Sequence, residues 1–131
     1  MAREWLASIG EDTIVVGLEG NLGSGKTTFT QTVARELGVV EQVTSPTFVI
    51  QKTYAVTNPV YQGRFKNLVH IDAYRLEQAS ELEVIGFKKL LSDKGNLIFI
   101  EWPERVRELL PENTKIIKFK YIDEGVREIS F

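Results

Sequence analysis

The stretch Gly20-Asn21-Leu22-Gly23-Ser24-Gly25-Lys26-Thr27 satisfies the pattern G-x-x-x-x-G-K-[ST]. That spacing gathers the groups needed to hold a chain of phosphates. Glycines let the backbone curl until successive N–H groups point inward at phosphate oxygens, so Gly20, Gly23, Ser24 and Gly25 are expected to form a cradle. Lys26 supplies an ammonium for the outer phosphates, and Thr27 a hydroxyl for Mg2+. Thr28 adds a second hydroxyl nearer the ribose. The competing structural reading is a glycine-rich turn with a surface lysine, and the complete motif between a strand and a helix argues against it. The expected ligand is a nucleoside triphosphate with Mg2+. No Asn-Lys-x-Asp or Thr-Lys-x-Asp sequence for guanine reading occurs, which favours adenine and hence ATP, with ADP as product.

Such a loop needs a partner acid at the end of a neighbouring strand, to hold the metal shell or position water. Two acids directly follow apolar runs: Asp72 ends Leu68-Val69-His70-Ile71-Asp72, and Glu101 ends Leu97-Ile98-Phe99-Ile100-Glu101. In a parallel sheet both emerge at the carboxyl edge, where the phosphate loop also lies. At least one is expected to reach the metal shell, the alternative being acids that are solvated or cap the next turn. His70 shares a strand face with Asp72 and is read as a packed, hydrogen-bonded residue. Tyr74 and Arg75 are candidates to fix the loop after Asp72, and Trp102 is expected to be half-buried beside Glu101.

The elements that must carry these residues follow from periodicity. Residues 13–18 form a near-continuous apolar run, as in a strand buried on both faces of a parallel sheet. Residues 27–37 read as a helix stopped by Gly38, and residues 3–9 as a short amphipathic lead-in. Residues 47–56 and 67–71 read as strands, with Asn58-Pro59 and Gln62-Gly63 punctuating a loop or hairpin between them. Ser80 and Glu83 are spaced as a capping box that opens a helix to about residue 91. Residues 97–100 are a further buried strand, and Pro103 suits the first turn of a helix to residue 110. Residues 114–122 and 126–130 alternate around Asp123-Glu124-Gly125 as a closing hairpin. Strands alternating with helices predict an α/β fold, a P-loop NTPase-like three-layer domain with a mainly parallel central sheet.

The 131 residues fit one domain spanning 1–131, with 43% hydrophobic and 26% charged residues, the balance of a globular chain. The absence of cysteine excludes disulfides, thiolate metal sites and cysteine nucleophiles. Sixteen basic against eighteen acidic residues leave a net charge of −2, so no overall field attracts a nucleic-acid backbone. No apolar run approaches membrane-spanning length and no signal peptide is visible, so a cytoplasmic protein without membrane contact is expected.

With these residues in place, the chain resembles the TsaE (YjeE) family, ATPases of the bacterial threonylcarbamoyladenosine (t6A) modification of tRNA. Four blocks carry the resemblance: the run from Leu18 through the phosphate loop to Phe29; Val43-Thr44-Ser45-Pro46-Thr47-Phe48; His70-Ile71-Asp72-Ala73-Tyr74-Arg75-Leu76; and Glu101-Trp102-Pro103-Glu104. Asn21 stands where the family usually has aspartate, a change the loop tolerates because backbone N–H groups do its work. The resemblance implies catalytic roles for Lys26, Asp72 and Glu101, with Thr27 and Glu101 at the metal and Asp72 as the second essential acid. Thr47 would belong to a nucleotide-responsive loop. The implied partners are the threonylcarbamoyl-transferase subunit and its inactive paralogue (TsaD and TsaB type proteins), with ATP hydrolysis resetting the transferase between cycles and any tRNA contact indirect. Two alternatives stand beside it: a small P-loop kinase acting on a nucleoside or metabolite, and a nucleotide-gated binding module without useful turnover.

Overall fold

The computed structural model describes residues 2–10, 14–21, 25–44, 50–84, 86–123 and 126–131. Gly23 and Ser24 of the loop, the Ser45-Pro46-Thr47-Phe48 block and the Glu124-Gly125 turn lie outside the described residues. The elements run α1 Ala2–Ser8, β1 Val15–Glu19, α2 Lys26–Glu36, β2 Gln51–Ala55, α3 Pro59–Gln62 and β3 Asn67–Asp72. They continue with α4 Ser80–Val84, α5 Phe87–Ser92, β4 Asn96–Glu101, a 3-10 helix Pro103–Leu109, β5 Lys115–Asp123 and β6 Val126–Ser130.

The strands form one six-stranded sheet in the order β2-β3-β4-β1-β5-β6. The inner four are mutually parallel, and the edge strands β2 and β6 run antiparallel to β3 and β5. Strand alternation divides the core into two layers. Val16, Leu18, Leu68, Leu97, Phe99, Ile117 and Phe119 face α1 and α2, where they meet Trp5, Leu6, Phe29, Val33 and Leu37. Val15, Val69, Ile71, Ile98 and Ile100 face the other way, against Leu82, Phe87 and Val106. The three-layer α/β architecture with a mostly parallel sheet is therefore present as expected. Among the described residues no helix is long and apolar enough to cross a membrane.

The position of α2 matters most for the site, and both its ends are fixed. Phe29, 1% exposed, contacts the rings of Trp5, Phe119 and Phe99 at centroid distances of 5.2, 5.6 and 6.0 Å. Its C-terminus closes in a Schellman arrangement: Val39 N–H donates to the Ala34 carbonyl and Gly38 N–H to that of Arg35, with Gly38 at φ +80°.

The structure refines one local expectation and corrects three. β2 and β3 form the expected hairpin, and its connection carries a short helical turn at Asn58-Pro59. The Asn58 side chain accepts from Val60 N–H at 3.1 Å, and Pro59 occupies the first helical position, where its missing donor costs nothing. The expected helix over 80–91 is two helices, α4 and α5, because Gly86 turns left-handed at φ +87° between them. The capping box is not Ser80 with Glu83. The Glu81 carboxylate reaches back to the N–H groups of Glu77 and Gln78 at 2.6 and 2.9 Å, which leaves Glu83 to pair with Lys88. The helix expected after Pro103 is a 3-10 segment kinked at Val106 (φ −130°), whose side chain is turned fully into the second core layer.

Candidate functional site

The sheet edge after β1, β3 and β4 collects the chemistry. β1 delivers the chain to Gly20, and α2 restarts it from Gly25, which holds φ +104° and ψ 8°. That left-handed conformation excludes an ordinary side chain at low cost, so glycine is needed there. Lys26 is the first residue of α2 and is 4% exposed. Its ammonium donates to the Gly20 carbonyl at 2.6 Å, stands 4.0 Å from Glu101 Oε1, and lies 4.0 Å from the Trp102 ring centroid. A loop carbonyl, a carboxylate and an indole face thus box in one cation. Burial pulls the Lys26 pKa below its ordinary value, while Glu101, Asp72 and Glu104 act in the opposite direction.

The acids are set by register. Asp72 of β3 lies directly opposite Glu101 of β4, and Glu101 lies opposite Leu18 of β1. Glu101 therefore belongs to the strand beside the one that bears the loop, and Asp72 to the next strand out. Both are 4% exposed. Asp72 Oδ1 accepts from Tyr74 N–H at 2.9 Å, so this acid also caps the following turn, the structural role weighed for strand-end acids. Glu101 Oε2 sits 2.6 Å from His70 Nε2, leaving Oε1 on the side of Lys26. The His70 ring is fully buried, as expected for a packed, hydrogen-bonded residue, but its partner is the acid itself.

Trp102 follows with φ +61° and ψ 52°. For a bulky residue this is strained backbone, costing about 1–3 kcal/mol. The strain turns the chain sharply between Glu101 and the 3-10 helix and accompanies an indole lying against Lys26. The ring is half-buried and leans on Tyr74, at a centroid distance of 5.1 Å. Arg105 lies 5.5 Å from the Tyr74 ring and donates to the Leu76 carbonyl at 3.3 Å.

Of the residues singled out from sequence, the structure brings Gly20, Gly25, Lys26, Asp72, Glu101 and Trp102 to one edge. Thr27 is half-buried in the first turn of α2, and Thr28 is exposed. Gly23, Ser24 and Thr47 lie outside the described residues. Sequence reasoning missed the contact of His70 with Glu101 and that of Lys26 with Trp102, both made between elements remote along the chain. A signal for the first was present: His70 and Asp72 share a face of β3, so an acid at the level of Asp72 on a parallel neighbour lies diagonal to His70.

A sequence model of the family described as "Threonylcarbamoyl adenosine biosynthesis protein TsaE" matches residues 1–129. The tRNA threonylcarbamoyladenosine biosynthesis protein TsaE of Treponema pallidum is 39% identical over 120 residues, covering 92% of this chain and 82% of the relative. Its namesake in Bacillus subtilis is 38% identical over 117 residues, covering 89% of this chain and 68% of the relative. The crystal structure of Bacillus subtilis YdiB superposes with a TM-score of 0.64 at 31% identity, covering 89% of this chain and 66% of that one. With a family match along nearly its whole length and relatives at 38–39% identity, the chain belongs to the TsaE family of threonylcarbamoyl adenosine biosynthesis proteins.

Proposed function

We propose that this protein binds ATP with Mg2+ at the loop of residues 20–27 and hydrolyses it to ADP and phosphate. It does so within a complex with the threonylcarbamoyl-transferase subunit and its inactive paralogue, and this permits repeated rounds of tRNA t6A modification. The observation that supports this most is the convergence of Lys26, Glu101 and Asp72 on one sheet edge, at the N-terminus of α2, in a chain of the TsaE family.

The residues present fit the metal. The donors at this edge are hydroxyl and carboxylate oxygens, the hard ligands that Mg2+ takes. Among the described residues no cluster of three His, Cys, Asp or Glu forms a cage, which suits an ion that keeps waters and shares phosphate oxygens. Thr27 and Glu101 would hold it. When bound, Mg2+ offsets the negative charge of the phosphates. Lys26 exchanges the Gly20 carbonyl for phosphate oxygens, a stronger, charge-assisted partner. Asp72, held by Tyr74 N–H, orients the attacking water. Water oxygen bonds to the γ-phosphorus as the bond to the bridging oxygen breaks, and ADP leaves. Arg105 is engaged with Leu76 and Tyr74, which argues against its serving as the mobile arginine of a kinase lid.

The test mixes the purified chain with the transferase subunit, its paralogue, tRNA, ATP and Mg2+, and follows phosphate release and multi-turnover modification. Both are expected to depend on this chain and to be lost in Lys26→Ala and Glu101→Ala. If neither substitution changes multi-turnover modification, the proposal fails, and stoichiometric phosphorylation of a metabolite would decide for the kinase.

A further inference from the structure

The imidazole of His70 stands in a place an aliphatic side chain would fill at lower cost. β3 runs Asn67-Leu68-Val69-His70-Ile71-Asp72, buried from Leu68 onward. His70 lies opposite Phe99 of β4 and shares its face with Leu68, in the core layer under α2. The ring is 0% exposed, and Nδ1 has no hydrogen-bond partner among the described residues. A buried nitrogen without a partner is a cost that native cores seldom carry unless the group does something else. What this group does is hold Glu101: the 2.6 Å contact from Nε2 takes up Oε2 and leaves Oε1 facing the Lys26 ammonium 4.0 Å away.

We propose that His70 is a positioning residue for Glu101, fixing one carboxylate oxygen from beneath so that the other is presented to the phosphate loop. The proposal rests on the ATPase reading above for its kinetic consequence, though not for its geometry. His70 lies two residue pairs below the edge where Asp72 and Glu101 emerge, and its ring is fully buried. It therefore acts through Glu101 and does not touch the ligand. A glutamate has three side-chain torsions, and a carboxylate off its place by about 1 Å can cost about 100-fold in rate. One hydrogen bond from the neighbouring strand removes that freedom before any ligand arrives.

The test compares His70→Leu, His70→Gln and His70→Asn in the full chain, with thermal melting to establish that each folds. The Gln amide reaches the position of Nε2 and can donate. The Asn amide is polar but too short. With the partner complex present, His70→Leu and His70→Asn are expected to lose turnover by about 10-fold or more, with KM for ATP within about threefold of wild type. His70→Gln is expected to keep turnover within about threefold. In a Glu101→Gln background, His70→Leu should cause no further loss, because its effect passes through the carboxylate.

A readout independent of ATP is a crystal structure of His70→Leu, or of His70→Asn should the Leu variant not fold, in which Glu101 Oε1 should have left its place beside Lys26. Wild-type turnover in His70→Asn, equal loss in the Gln and Asn variants, or an unmoved Glu101 carboxylate would each overturn the proposal. A wild-type chain that binds no ATP would instead remove the ATPase reading, and the position of Glu101 in the variant crystal would still decide the role of His70.

Discussion

Replacing Glu101 by glutamine changes charge and not shape, which makes its consequences separable. The side chain is 4% exposed, with Oε2 at 2.6 Å from His70 and Oε1 at 4.0 Å from Lys26. Converting a charge-assisted hydrogen bond to a neutral one costs about 1 kcal/mol. Losing the attraction to Lys26 forfeits roughly 4 kcal/mol at 4 Å and an effective dielectric near 20. Against that, the variant no longer buries a carboxylate, which relieves several kcal/mol of desolvation. These terms nearly cancel, so Glu101→Gln should melt within about 7 °C of wild type, equivalent to about 2 kcal/mol for a chain of this size. ATP affinity should hold within about threefold, because Lys26 and the backbone N–H groups remain. Turnover is another matter. On the proposed role of Glu101 at the metal, the transition state loses a carboxylate ligand, and phosphate release in the partner complex should fall about 100- to 10,000-fold, or about 3–5 kcal/mol of barrier. Phosphate release, calorimetry with a non-hydrolysable ATP analogue and thermal melting measure the three quantities. Turnover within about fivefold of wild type would refute the role given to Glu101; loss of binding alongside turnover would show that it builds the site and does not act in the reaction.

Two further outcomes follow from the same edge. At Trp102 the left-handed backbone should invert the usual order of alanine and glycine: Trp102→Gly should be more stable than Trp102→Ala by about 1 kcal/mol in thermal melting, and the opposite order would show that φ +61° is not strained. At Lys26, burial lowers the pKa from the ordinary lysine value of 10.5, so over the interval below 10.5 the unfolded chain binds more protons than the folded one. Stability of the unliganded protein contributed by this group should therefore rise with pH across that interval and be lost as pH falls back through the folded value. ATP affinity should move the other way, as the ammonium loses its proton. Both slopes, by melting and calorimetry relative to Lys26→Met, should vanish in that variant, and slopes of the same sign would contradict the assignment.

The parts of the site legible in sequence are those written locally. The G-x-x-x-x-G-K-[ST] pattern lies within eight consecutive residues, of which the structure describes Gly20, Asn21, Gly25, Lys26 and Thr27, and Asp72 and Glu101 each end an apolar run that reads as a buried strand. Parallel pairing of those runs then places both acids at the loop's end of the sheet. What was not legible depends on partners remote in sequence or on backbone torsions that composition does not reveal. His70 and Glu101 are 31 residues apart and meet only because β3 and β4 are neighbours in register. Trp102 reaches Lys26 through a left-handed turn unusual for tryptophan. The Gly86 break and the Glu81 cap show the same limit on a smaller scale. Helical periodicity continues through 80–91, and the choice between Glu81 and Glu83 as the capping carboxylate is settled by where the first turn begins.

The central claim is that the loop ending at Lys26 grips a magnesium-bound triphosphate, and isothermal calorimetry of ATP with Mg2+ into the folded chain measures it most directly, alone and with the transferase subunit and its paralogue. One site per chain is expected, with Lys26→Ala weakening it by roughly 10- to 150-fold, the loss of one charge-assisted contact. Absence of heat and of competition in every combination, on wild-type protein shown to be folded, would contradict it.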